Sequence, residues 1–175
     1  AGRSPHYSLR TLCRALEAAR LFFNRGYRLE RALYEGFSMS FATQLDTKSM
    51  AKVLKEMKKR FCEKIRSKTL KEAPRKPRNK DVTWIRCQNF WIEQGTSEPI
   101  DWATSTDGVQ KFVVTDSVRT NLQRLSRCLS AKRYPVLLQG PTSSGKTTLV
   151  SYMAAFTGNK CVRINNHEHT DLQEY

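Results

Sequence analysis

The sequence lacks the long apolar run of a membrane span, since no apolar stretch approaches the roughly 20 residues required. Its five cysteines are widely spaced and include no C-x-x-C pair, which argues against a zinc ribbon or a redox dithiol and favours a reducing compartment. The chain begins without Met or an apolar signal region and stops in mid-pattern, so both ends are expected to be cut. These absences predict a soluble protein without a membrane partner, whose cysteines are small buried or half-buried apolar residues.

Acidic residues are scarce relative to basic ones, with 16 Asp and Glu against 31 Lys and Arg and a net charge of +15. Most of the excess lies in residues 48–80, which contain 14 basic residues and three glutamates. Such a stretch attracts RNA, DNA or an acidic protein tail through counterion release and long-range steering. It is equally typical of a solvated helix face followed by a linker, and composition leaves both interpretations open.

Residues 1–66 show helical periodicity and predict three amphipathic helices. Ser8 is expected to cap the first helix, Gly26 to follow its end, and Asp46 or Thr47 to begin the third. The apolar positions at helical spacing are Leu9, Leu12, Cys13, Leu16, Ala19 and Phe23 in the first helix, Leu29, Leu33, Phe37 and Phe41 in the second, and Met50, Val53, Leu54, Met57, Phe61 and Ile65 in the third. Three helices of this kind predict a small all-α bundle.

Residues 68–80 predict a linker, because they combine two prolines with dense like charge and few apolar side chains. Residues 82–92 are rich in β-branched and aromatic residues, which predicts strands or a hairpin. Their two tryptophans, Trp84 and Trp91, are expected to anchor packing rather than stack on nucleic-acid bases, because no RNA-binding sheet motif surrounds them.

From residue 111 onward the pattern is that of an α/β nucleotide-binding unit. One helix is expected to begin at Thr115 or Asp116 and to direct Leu122 and Leu125 toward the core. A later helix is expected to end at Gly158. The predicted strands are residues 112–114, 134–139 and 160–165. This alternation predicts an α/β fold of the P-loop NTPase type.

Residues 140–147 read Gly-Pro-Thr-Ser-Ser-Gly-Lys-Thr and match the phosphate-binding motif G-x-x-x-x-G-K-[ST] between a predicted strand and helix. The glycines bring backbone N–H groups up to phosphate oxygens, and the helix N-terminus adds partial positive charge. Lys146 is predicted to reach the β- and γ-phosphates of ATP, Thr147 to hold Mg²⁺, and Thr148 to border the site. The predicted ATP-binding residues are Gly140, Pro141, Thr142, Ser143, Ser144, Gly145, Lys146, Thr147 and Thr148. The alternative, a chance match in a glycine-rich turn, is disfavoured by the strand and helix around it.

Hydrolysis also needs an acidic residue, the Walker B acid, at the end of a later strand. Only 28 residues follow Thr147, and they contain no such strand. The catalytic acid is therefore unknown and is expected beyond Tyr175 or on another chain, so this chain alone is expected to hydrolyse ATP poorly. The segment 167–169 reads His-Glu-His but does not match the zinc motif H-E-x-x-H, because Asp171 occupies the position of the second histidine. This favours a polar turn over a metal site.

Residues 134–175 (YPVLLQGPTSSGKTTLV…CVRINNHEHTDLQEY) resemble the opening of an AAA+ module of the midasin family. Residues 5–16 (PHYSLRTLCRAL) resemble the sensor-2 helix of the helical lid in that family, and Arg10 matches the sensor arginine. The alternative for Arg10 is an exposed helix charge without a ligand. The resemblance implies three parts, namely a helical lid of one AAA+ module (1–66), a basic linker with a hairpin-like connection (67–110), and the first part of the next large domain (111–175).

Midasins are very large dynein-like AAA+ ATPases that carry six modules on one chain and remodel precursors of the large ribosomal subunit. The resemblance implies ATP and Mg²⁺ as cofactors, hydrolysis in the full-length protein, and a nuclear location in the nucleolus and nucleoplasm. The implied partners are neighbouring modules of the same chain and the pre-60S particle with its assembly factors. The charge of residues 48–80 adds rRNA as a candidate contact. Two other functions remain open, a basic nucleic-acid-binding module and a structural module that binds nucleotide statically. The junction of the second and third modules is favoured.

Overall fold

A computed structural model of the chain describes residues 7–63, 70, 75–79, 81–103 and 112–164. The elements in chain order are α1 (Leu9–Asn24), α2 (Leu29–Phe37), a π-helical turn (Ser38–Ala42), α3 (Thr47–Phe61), β1 (Trp84–Cys87), β2 (Phe90–Glu93), α4 (Asp116–Ala131) and α5 (Lys146–Thr157). The predicted all-α character of the N-terminal part is confirmed. Among the described helices, none combines the length and apolar character needed to cross a membrane.

The predicted starts of α1, α3 and α4 are confirmed, with Ser8, Asp46 and Thr115 as their N-caps. Asp46 Oδ1 accepts hydrogen bonds from the backbone N–H groups of Lys48 (3.0 Å) and Ser49 (3.1 Å). These bonds satisfy donors that have no acceptor inside the helix. Short polar residues at the caps therefore fix where the helices begin.

The buried face of α1 differs from the stripe of large apolar residues at helical spacing. Its buried residues are Ala15, Ala18, Ala19 and Phe22, whereas Leu9 is 75% exposed and Phe23 is 52% exposed. The physical reason is the close approach of α2, whose Gly36 lies against the α1 backbone at Ala15 and Ala19. Only small side chains permit this distance between two helices, so the alanines are buried at the contact, whereas Leu9 and Phe23 lie outside it.

Gly36→Ala is expected to destabilise the chain. A Cβ atom at this position would lie 2.5 Å from the carbonyl oxygen of Ala15 and 2.7 Å from the backbone nitrogen of Ala19. Because both atoms belong to the α1 backbone, the two helices have to separate, with an expected loss of about 1–3 kcal/mol in the free energy of unfolding. Thermal unfolding measures the effect. An unchanged or raised midpoint, as the helix propensity of alanine alone would give, contradicts this view of the contact.

The predicted hairpin is confirmed. Strands β1 and β2 pair antiparallel, with Trp84 opposite Glu93 and Cys87 opposite Phe90. The turn between them places Gln88 at a φ of 54°. Trp84 is 8% exposed, as expected for a packing anchor, and Trp91 is half-buried.

The three other predicted strands are not paired as strands among the described residues. Residues 112–114, 134–139 and 160–164 carry no strand hydrogen bonding there, and Leu137 is 89% exposed. A helix satisfies its backbone groups internally, whereas a strand exists only when a neighbouring strand supplies the bonds. The helices α4 and α5 and the end of α5 at Gly158 form as predicted. The described fold is mostly helical with one small sheet, and the α/β large domain stays a prediction.

The hairpin contributes side chains to two apolar clusters. The first contains Phe22, Tyr27, Ala32, Phe90 and Ala131, and the second contains Cys87, Ile92, Leu122, Leu125, Leu149, Tyr152 and Met153. Phe90 of β2 lies in the first cluster, 6.2 Å from the Phe22 ring centre, while Cys87 and Ile92 lie in the second. The hairpin therefore packs on the helical part and on the pair α4 and α5 at once.

The five cysteines are free thiols. Cys62 and Cys87 are buried and Cys128 is half-buried, as expected for small apolar residues. Cys13 and Cys161 are exposed, so the expectation was wrong for these two. Burial raises the pKa of the Cys87 thiol, which keeps it protonated near neutral pH.

Candidate nucleotide-binding site

The glycine-rich loop runs from Gly140 to Gly145 and leads directly into α5, which begins at Lys146. Two of its residues adopt the left-handed conformation, Ser143 at a φ of 62° and Gly145 at a φ of 79°. Glycine adopts this conformation without steric cost, whereas serine does so less readily. Left-handed residues in such a turn direct successive backbone N–H groups to one side, which makes a concave surface suited to an anion.

The N-terminus of α5 adds further donors at the same place. The first hydrogen bond of the helix joins the N–H of Leu149 to the carbonyl oxygen of Gly145 at 2.9 Å. The N–H groups of Lys146, Thr147 and Thr148 therefore precede any acceptor within the helix. They carry the partial positive charge of the helix dipole, so the loop and helix together favour phosphate oxygens.

The ammonium group of Lys146 lies over the loop. Its Nζ donates to the carbonyl oxygens of Gly140 (3.0 Å) and Pro141 (2.6 Å) and to Ser144 Oγ (3.3 Å). An ammonium has three donors, and the loop oxygens use all three in this conformation. Phosphate oxygens can replace these neutral acceptors with stronger bonds, in which donor and acceptor carry opposite charges. The geometry thus places one fixed positive charge beside a cluster of backbone donors.

An open groove of about 330 Å³ adjoins the loop and is within the size range of small-molecule sites. Lys146 and Thr147 form one wall, and residues from the two extended segments on either side of α5 form the rest, among them Leu138, Cys161 and Arg163. Arg163 was not predicted as a site residue. The sequence signal that could have indicated Arg163 is its position as a cation between the apolar residues Val162 and Ile164.

The remaining predicted site residues lie as follows. Arg10 is exposed in the first turn of α1, and the described residues show no contact between it and the loop. Thr147 and Thr148 are exposed in the first turn of α5. The segment 167–169 lies outside the described residues. Within the described part of the chain, no cluster of three or more His, Cys, Asp or Glu side chains is arranged to hold a metal ion.

The helix that carries Arg10 is bonded to the segment that enters the loop. Glu17 of α1 accepts hydrogen bonds from the Tyr134 hydroxyl and from Arg133, the latter at 3.1 Å. The Tyr134 hydrogen bond is the main cause that lowers the pKa of Glu17, and the charge of Arg133 acts in the same direction. The Arg14 guanidinium lies over the Tyr134 ring, 5.9 Å from its centre. Both contacts join residues far apart in sequence, and neither was predicted.

A buried ion pair joins α2 to α4. Arg127 Nε lies 2.7 Å from Glu35 Oε2, and Arg31 Nε lies 3.5 Å from Glu35 Oε1. The Glu35 side chain is only 3% exposed. Burial, the largest single effect, lowers the pKa of Arg127, but the Glu35 carboxylate and smaller contributions from Tyr34 and Cys128 together raise the pKa overall. The helical part is therefore held to α4 by a desolvated charge pair as well as by apolar packing.

Known proteins resemble the chain over nearly all of its length. Residues 1–64 match the family model described as the midasin AAA lid domain. A midasin of Dictyostelium discoideum is 38% identical over 183 residues, and a midasin of Giardia intestinalis is 35% identical over 187 residues, each match covering 99% of this chain. The chain spans 3% and 4% of the lengths of these two curated relatives. The predicted resemblance to midasin is confirmed.

Proposed function

Because this chain is related to midasin over 99% of its length, we propose that its glycine-rich loop binds Mg²⁺-ATP as part of an AAA+ module. One observation carries the proposal, the position of the Lys146 ammonium over the loop oxygens at the N-terminus of α5. A triphosphate matches this cluster of donors because it carries several negative oxygens close together.

The donor set fits a magnesium nucleotide. Backbone N–H groups of the loop and of the first turn of α5 would hold phosphate oxygens, and Lys146 would contact the β- and γ-phosphates. The Thr147 hydroxyl would supply an oxygen ligand to Mg²⁺, a cation that binds oxygen donors and retains several of its waters. Bound Mg²⁺ would neutralise charge that develops on the phosphates. Thr148 follows along the helix and borders the site.

We place Arg10 at a second half-site, where its guanidinium senses the nucleotide of the preceding module. Its exposed position on α1 and its residue type support this role, because a guanidinium keeps its charge and offers forked donors to a γ-phosphate. The Glu17 and Tyr134 contact then links the helix of one half-site to the segment that enters the other.

In the full-length protein, we propose that this module hydrolyses ATP and thereby drives remodelling of large-ribosomal-subunit precursors in the nucleus. The matched lid family and the two midasin relatives support an AAA+ role of this type. The catalytic acid would come from outside the described residues, so this chain alone is expected to bind ATP with little turnover. Neighbouring modules and the pre-60S particle with its assembly factors would be the partners.

Thr147→Ala is expected to remove most of the effect of Mg²⁺ on ATP affinity. The variant loses the hydroxyl ligand but keeps the backbone donors and Lys146, so Mg²⁺-ATP should bind about tenfold more weakly while ATP in EDTA binds as in wild type. Thr147→Ser keeps the hydroxyl and serves as the matched control. Calorimetric titrations of wild type and the two variants, with and without Mg²⁺, measure the ATP affinities. A full magnesium effect in Thr147→Ala would show that the ion is held elsewhere.

A further inference from the structure

The outward face of α3 is a stripe of four lysines, which we call the lysine stripe: Lys48, Lys52, Lys55 and Lys59. All four side chains are exposed. Their spacing of four, three and four residues places them within about 60° of the helix circumference and along about 16 Å of its axis. The apolar residues of α3 that are half-buried lie on the opposite side, namely Met50, Val53, Leu54, Met57 and Phe61.

Local helix stability does not explain the lysine stripe. Like charges four residues apart on one helix face repel each other, and the stripe contains two such pairs, Lys48 with Lys52 and Lys55 with Lys59. Lys48 also lies in the first turn, where the helix dipole disfavours a cation, and that turn contains no acidic residue. Glu56, at the edge of the stripe, is the one glutamate within α3. Lys59 lies in the last turn, where the helix dipole favours a cation, so the conflict with local stability concerns Lys48 and the two like-charge pairs. Such conflicts are typical of functional surfaces.

The chemistry of the stripe indicates phosphates. Lysine ammonium groups act as point charges that contact phosphate oxygens without reading base edges. The stripe contains no aromatic side chain, so it lacks the stacking surface that single-stranded nucleic acids require. A straight row of cations instead matches the regular phosphates of a double helix, and double-stranded RNA is recognised mainly through shape, phosphates and 2′-hydroxyls.

We propose that the lysine stripe binds the phosphate backbone of base-paired RNA. The choice of RNA rests on the proposed function, since RNA is the polyphosphate of a ribosomal precursor. The contact is independent of base sequence and of the nucleotide at the glycine-rich loop.

The test uses fluorescence anisotropy of the chain with a labelled RNA duplex of about 20 base pairs at several KCl concentrations. Four phosphate contacts predict that log K falls with log [KCl] with a slope of about −3 to −4. The double variant Lys52→Gln and Lys55→Gln should reduce the slope by about two and the affinity at 100 mM KCl at least about tenfold. Glutamine is a good helix former, so thermal stability should not fall. Arginine at the same two positions should restore binding.

The matched control is the double variant Arg28→Gln and Arg119→Gln, which removes two exposed charges away from α3, one at the N-cap of α2 and one on α4. It should keep the affinity within about twofold, because it alters net charge but no phosphate contact. Equal losses in both double variants would overturn the proposal in favour of bulk charge. Polyglutamate that displaces the duplex at equal charge concentration would identify an acidic protein surface instead, and absence of duplex binding would also overturn it.

The two proposals fail separately. The Lys52 and Lys55 double variant should bind ATP as wild type does, and Lys146→Ala should bind the duplex as wild type does. Duplex binding without any ATP binding would leave the lysine stripe in place and overturn the nucleotide site. ATP binding without duplex binding would leave the nucleotide site in place and overturn the lysine stripe.

Discussion

Lys146→Ala is expected to weaken Mg²⁺-ATP binding by at least about a hundredfold. The ammonium is the only side-chain cation hydrogen-bonded to the loop among the described residues, where it lies within 3.3 Å of three loop oxygens. Charge-assisted hydrogen bonds contribute about 1.5–3 kcal/mol each, and two bonds to phosphate oxygens account for a change of this size. Calorimetric titration of Mg²⁺-ATP into the variant measures it.

Two controls separate the phosphate contact from other effects of the substitution. Lys160→Ala removes the same charge from an exposed position after α5 and should leave ATP affinity within about threefold of wild type. Lys146→Met keeps the apolar part of the side chain and should bind ATP as poorly as Lys146→Ala. Wild-type affinity in both Lys146 variants would show that the loop does not hold the triphosphate.

Arg127→Met is expected to lower the free energy of unfolding by about 3 kcal/mol, because it leaves the buried Glu35 carboxylate without its nearer partner. Methionine preserves most of the side-chain volume, so the loss comes from charge rather than from a cavity. Arg31 remains 3.5 Å from Glu35 and prevents a larger effect. Urea unfolding, monitored by circular dichroism, gives the difference.

The same helix supplies a control, since Arg119 is exposed on α4 and Arg119→Met should change stability by no more than about 0.5 kcal/mol. Glu35→Gln tests the pairing directly. If Arg127 acts through Glu35, the double variant should lose less stability than the sum of the two single losses. Additive losses would mean that the two residues stabilise the chain independently.

The helices and their first residues could be predicted from the sequence because their determinants are local. Hydrogen bonds in a helix join residues four apart, and a cap such as Asp46 bonds to the second and third residues after it. Of the predicted apolar stripe of α1 only Ala19 is buried, and the rest of the buried face could not be predicted, since it depends on Gly36 of another helix. Periodicity identified an amphipathic helix but could not show that alanines, rather than leucines, meet the partner.

The strands and the contacts between distant residues show the same limit. The hairpin was predictable because its two strands are adjacent in sequence, whereas residues 134–139 need partners that local pattern does not identify. The phosphate-binding motif is a local run of eight residues, so Lys146 could be predicted as a site residue from the sequence. The hydrogen bonds that Arg127 donates to Glu35 and Tyr134 donates to Glu17 span 92 and 117 positions, and no sequence pattern marks these residues as pairs.

The most direct test of the central claim is a set of three calorimetric titrations of the chain in Mg²⁺, with ATP, with inorganic tripolyphosphate and with adenosine. If the loop holds a nucleotide by its phosphates, ATP and tripolyphosphate bind to wild type and lose most of their affinity in Lys146→Ala, while adenosine shows little binding to either. Adenosine binding as tightly as ATP, or ATP affinity unaffected by the loss of Lys146, would contradict a phosphate-binding loop.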